Sequence, residues 1–137
     1  MQINMMAVIV GTIVAFVGGA IWYGPLFGKK WMQITGFNPE NEEARKRMQK
    51  QAMPLYVVQL VITIVQVYVL AYVIGLKDVS AVMTAVCMYI GFVLPSLIGA
   101  VMWSGKPKKV IMLQIWIQGG YQLLSFIILG AIIGMWK

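Results

Sequence analysis

Residues 3–23, 55–76, 79–103 and 110–136 form four apolar runs, each at least 21 residues long and each free of charged side chains. This feature constrains the fold more than any motif, because a helix of about 20 apolar residues crosses a hydrocarbon core about 30 Å thick. Lipid offers no hydrogen bonds to a peptide group, so such spans satisfy their own backbones as α-helices. The expected fold is all-α: one integral membrane domain over residues 1–137, built as a four-transmembrane-helix bundle.

With 61% hydrophobic residues and a mean hydropathy of +0.83, little chain is left over for a soluble domain. The first run is not expected to be a cleaved signal, since residues 1–6 carry no basic side chain and the run exceeds an ordinary signal h-region. Cys87, alone of its kind, cannot form a disulfide within the chain.

The net charge of +7 would suggest nucleic acid in a soluble protein, but here its distribution carries the information. Nine of the eleven basic residues fall in two loops: Lys29, Lys30, Arg45, Lys46, Arg47 and Lys50 in one, Lys106, Lys108 and Lys109 in the other. The opposite side holds only Lys77 and Lys137. By the positive-inside rule both basic loops are cytoplasmic and both termini extracytoplasmic, in a plasma or inner membrane. Trp22, Tyr23, Tyr56 and Trp103 are expected at the inner interface, with Tyr72 and Trp136 at the outer one. The partners this implies are the lipid bilayer and its anionic headgroups, drawn to Lys29, Lys30, Arg45, Lys46, Arg47, Lys106, Lys108 and Lys109. No nucleic-acid partner is implied.

The longer basic loop predicts a short cytoplasmic helix between the first two spans. Asn38 and Pro39 suit its cap and first position, and Glu40, Glu42 and Glu43 followed by Arg45, Lys46, Arg47 and Lys50 suit the helix dipole. The helix is expected to cover residues 39–53 and to stop at Pro54.

Within the first span Ala7, Gly11, Ala15 and Gly19 recur every fourth residue, the spacing of a close-packing seam between membrane helices. In the third span Pro95 cannot donate to the carbonyl of Gly91, and a kink is expected there. Polar side chains form two intramembrane stripes: Gln59, Thr63 and Gln66 on the second span, and Gln114, Gln118, Tyr121, Gln122 and Ser125 on the fourth. Counted from the inner ends at Leu55 and Val110, the stripes match in depth: four residues in for Gln59 and Gln114, eight for Thr63 and Gln118, eleven and twelve for Gln66 and Gln122.

An amide facing lipid is costly, so these stripes should face protein or water. They support two functions: a non-enzymatic structural or accessory component stabilised by intramembrane glutamine contacts, or an oligomeric channel or transporter-like protein for a small neutral solute. Homo-oligomerisation is expected because four short helices enclose little volume. No catalytic residue, metal site or cofactor is indicated, since the chain has no His, no acidic residue inside a span, and no base near its one cysteine.

Trp22-Tyr23-Gly24-Pro25 precedes Lys29-Lys30 much as Trp103-Ser104-Gly105-Lys106-Pro107 precedes Lys108-Lys109, which hints at a duplicated helical hairpin. The stretch Trp22-Tyr23-Gly24-Pro25-Leu26-Phe27-Gly28-Lys29-Lys30-Trp31 also resembles an uncharacterised family of small four-helix integral membrane proteins, a domain-of-unknown-function family. The resemblance implies four spans and brings no activity.

Overall fold

The computed structural model describes residues 3–35, 42–76 and 78–136. It contains six helices: α1 Met5–Ile21, α2 Gly28–Thr35, α3 Glu42–Gly75, α4 Ala81–Met88, α5 Leu94–Met102 and α6 Lys108–Met135. Four stretches are long and apolar enough to cross a membrane: Met5–Leu26, Met53–Gly75, Ala81–Met102 and Lys108–Met135. The third of these is made by α4 and α5 together.

Helix starts follow from local hydrogen bonding. The side-chain oxygen of Asn4 accepts from the N–H groups of Met6 and Ala7 at 3.0 and 3.4 Å, satisfying two donors that the first turn of α1 leaves free. Its amide nitrogen donates to the carbonyl of Trp136 at 3.4 Å, joining the start of the first span to the end of the last. Ser80 caps α4 in the same manner, accepting from Met83.

Two prolines coincide with five-residue π-turns, Trp22–Leu26 and Tyr89–Val93. Pro25 lies inside the first and Pro95 two residues beyond the second. A proline withdraws one N–H from the helical ladder. Here the register widens beside it, so that Phe27 donates to the carbonyl of Trp22 and Leu94 to that of Tyr89, five residues back in each case. Gly91 sits in the second π-turn, and Pro95 opens the α5 half of the span.

Pro54 behaves differently. The separate short helix expected over residues 39–53 is instead the first part of α3, which continues through Pro54. Only the hydrogen bond to the carbonyl of Lys50 is forfeited, near the polar end of the helix, where water can replace it. Asn38 and Pro39, assigned to its cap, lie outside the described residues. The helix that does separate the first two spans is α2, on the Lys29–Lys30 segment.

The small-residue stripe of α1 is an intrachain seam. A Cβ on Gly11 would stand 2.9 Å from Cδ2 of Leu129 and 3.1 Å from Cγ1 of Val67, so α3 and α6 both press on α1 at this point. Ala7 and Ala15 are buried beside it, while Gly19 lies under the Tyr121 ring. On the other side of α6, a Cβ on Gly130 or Gly134 would stand 3.0 Å from the Cβ of Ala85 or Ala81 of α4. Val67, Leu70, Ile74, Phe126, Leu129 and Ile133 complete the core among these small residues.

Candidate functional site

Beside the end of α1, between the middle of α3 and the first half of α6, the bundle opens into a cleft of about 490 Å³. Small residues of α1 (Ala15, Gly19, Ala20) form its floor, with Phe16 beside them. Gln59, Thr63 and Tyr56 line it from α3, Gln118, Tyr121 and Gln122 from α6, and Tyr23 and Trp31 from the segment between α1 and α3. The α3 wall deepens from exposed Tyr56 and Gln59 to Thr63, which is 5% exposed. The size is that of a small-molecule site, and the lining mixes aromatic faces with amides and hydroxyls and includes no charged side chain.

Five of the eight stripe residues meet here: Gln59, Thr63, Gln118, Tyr121 and Gln122. The lining brings Gln59 and Thr63 of α3 together with Gln118 and Gln122 of α6. Gln66 is half-buried outside the cleft. Gln114 turns towards the loop before α6, accepting from the Lys106 ammonium at 3.1 Å and donating to Oε1 of Gln118 at 3.4 Å. Ser125 lines a smaller apolar groove of about 50 Å³ between α1 and α6, with Val14, Gly18 and Trp22. Tyr121 belongs to both linings and stands as the partition between them.

Besides the Asn4–Trp136 bond, three hydrogen bonds between spans come from aromatic side chains. The Tyr121 hydroxyl donates to the carbonyl of Ala15. Trp22 Nε1 donates to the carbonyl of Ile117 at 2.9 Å, and the buried Tyr89 hydroxyl to that of Gly119 at 2.6 Å. Glutamine bonds run along single helices: Gln59 Nε2 donates to Thr63 Oγ1 at 3.4 Å, and Thr63 Oγ1 donates to the carbonyl of Gln59 at 2.7 Å. Among the described residues no hydrogen bond joins a glutamine of α3 to one of α6.

Trp22 and Tyr23 pack against α6. Trp22 is held to α6 by its indole N–H, and Tyr23 stands edge-on to Trp31 and Tyr121, with ring centroids 4.9 and 5.5 Å away. The π-turn aims both rings inward, and a Cβ on buried Gly28 would lie 3.1 Å from the carbonyl oxygen of Tyr23, so the chain folds back tightly. Tyr56, Tyr72, Trp103 and Trp136 are exposed. Tyr89 was not legible as an interhelical donor, because a lone tyrosine in an apolar run carries no spacing signal. Lys29, Lys30, Lys46, Arg47, Lys108 and Lys109 are exposed and Lys106 is half-buried, while the side chain of Arg45 lies outside the described residues. Among the described residues no group of three or more His, Cys, Asp or Glu is placed to hold a metal ion.

Fold and site define a helical integral membrane protein with four apolar spans and a polar, aromatic-lined cleft at one end of its bundle. The chain belongs to the family described as a protein of unknown function (DUF1761), which matches residues 6–134. No curated protein and no solved structure matches it.

Proposed function

We propose that this is a non-enzymatic membrane protein that binds a small uncharged solute in the cleft between α1, α3 and α6. The observation that carries the reading is the lining: amides and hydroxyls converge with aromatic rings on about 490 Å³ of open space, without a charge among them. Such walls suit a neutral molecule with hydrogen-bonding groups, since an ion would be desolvated without a partner. On the positive-inside reading of the basic loops, the mouth of the cleft faces the cytoplasm and both termini lie outside. They also attract anionic lipid, so replacing Lys46 and Arg47 with Gln is expected to reduce its retention on purification. Assembly of several copies is compatible with this reading.

An accessory role in which the glutamines chiefly stabilise the fold is the second reading. The Lys106–Gln114–Gln118 chain favours it, because it ties the loop before α6 to the helix itself.

Thiol alkylation in lipid separates the two, since the thiolate that reacts needs water. In a Cys87→Ser background, Thr63→Cys is expected to react with neutral N-ethylmaleimide, and adding Ala20→Trp to plug the cleft should abolish the reaction. Val67→Cys, in the packed seam, should stay inert. Equal inertness at residues 63 and 67 would overturn the cleft reading in favour of the accessory one.

A further inference from the structure

We infer that the cleft selects an uncharged cyclic amide or similar flat ring bearing a carbonyl acceptor and an N–H donor, because the bonds that orient its lining leave a donor at Gln118 and acceptors at Thr63 and Gln59. This deepens the solute-binding reading and rests on it.

The α6 wall takes its sense from Lys106. An ammonium has donors and no acceptor, so the Gln114 atom 3.1 Å from Nζ is the amide oxygen. The NH₂ group of Gln114 is thereby turned to Gln118, whose oxygen accepts it at 3.4 Å. With that oxygen engaged, Gln118 brings to the cleft an NH₂ group, which can only donate. Lys106 never enters the cleft. It is a positioning residue that acts through two amides.

Thr63 and Gln59 supply acceptors from α3. Thr63 commits its single proton to the carbonyl of Gln59, so its hydroxyl oxygen can only accept, and it does so from Gln59 Nε2. The Oε1 atom of Gln59 is left as an acceptor on the exposed rim. Tyr121 likewise spends its proton on the carbonyl of Ala15. Gln118 as donor, Thr63, Gln59 Oε1 and Tyr121 as acceptors, and aromatic rings around them fit a flat molecule that accepts at one edge and donates at another. An acceptor-only ring, such as a quinone, would leave Gln59 unanswered.

The test uses full-length protein in lipid nanodiscs, with empty discs subtracted, and titrates 2-quinolone against N-methyl-2-quinolone, which keeps the carbonyl and lacks the N–H. The unaltered protein should bind 2-quinolone saturably and roughly tenfold more tightly than its N-methyl derivative, the scale of one hydrogen bond to an amide. Gln59→Leu should bring the two probes level. Lys106→Met should weaken both by roughly fivefold through loss of the oriented Gln118 donor, and Lys106→Arg should restore them. Equal binding of the two probes by the unaltered protein would overturn the donor–acceptor assignment. So would a Lys106→Met protein that binds like the original. Reaction at Thr63→Cys without saturable binding of either quinolone would overturn the ligand class while the cleft reading stands; inertness at Thr63→Cys together with no binding would end both.

Discussion

The two flanks of α6 meet their neighbours in opposite ways. Towards α4, glycines remove every obstacle: Gly130 and Gly134 sit so close that an added Cβ would meet alanine Cβ atoms at 3.0 Å, and at Gly130 the backbone of Val82 as well. Towards α3, at the end where α6 begins, Gln118, Tyr121 and Gln122 face Gln59 and Thr63 across open space. Association in lipid draws on packing and hydrogen bonds rather than on the hydrophobic effect. Where side chains are small the backbones close up, and where they are long and polar a gap remains.

A methyl group added to the tight flank should have the largest effect. Gly130→Ala is expected to cost about 2–3 kcal/mol in thermal unfolding in detergent, because backbone atoms of α4 must move. Gly11→Ala should cost less, about 1–2 kcal/mol, since its contacts are the ends of Leu129 and Val67 side chains. Gly99→Ala meets nothing within 4 Å and should gain about 0.5–1 kcal/mol from helix propensity. Tolerance of Gly130→Ala would show that the α4–α6 contact is looser than drawn.

The interhelical hydrogen bonds sharpen it further. Tyr89→Phe removes a buried bond between α4–α5 and α6 and should cost up to about 1.7 kcal/mol, the upper end for such bonds in membranes. Tyr121→Phe, beside the cleft where water can replace the lost donor, should cost nearer the average of about 0.6 kcal/mol. Reversal of that order would argue that the cleft is dry.

The smallest effect concerns Gln66 and Gln122, at nearly equal depth. Since no hydrogen bond joins them, a double-mutant cycle of Gln66→Leu and Gln122→Leu should be additive within about 0.3–0.5 kcal/mol. Coupling beyond that would bring α3 and α6 together at this level and narrow the cleft.

The four spans were legible because lipid punishes any charge, which makes a charge-free run of 21 residues decisive whatever its order. The seam of α1 was legible because Ala7, Gly11, Ala15 and Gly19 keep helical spacing. The pairing of the polar stripes was not. Depth can be counted along a helix, but its axial shift and rotation are set by contacts such as Leu129 on Gly11, which no single segment records. Both π-turns were hidden for a related reason: Pro25 and Pro95 announce a break in the ladder, yet Pro54 has the same local chemistry and α3 runs through it. Only the surroundings decide whether the register widens.

The hydrogen bond from Asn4 to Trp136 spans nearly the whole chain, and it bears on how the protein is made. Helices enter the membrane in the order of synthesis, so α1 arrives with half of its seam uncovered. Val67 can cover Gly11 once α3 has entered, but Leu129 and Tyr121 come only with the last helix. Until α6 is released, α1 and α3 form a pair with an open flank, and the nascent protein is at its most vulnerable to membrane quality control. The final helix therefore acts as a checkpoint: a ribosome stalled before residue 129 leaves Gly11 without its Leu129 contact, so truncated chains should be cleared faster than full-length ones.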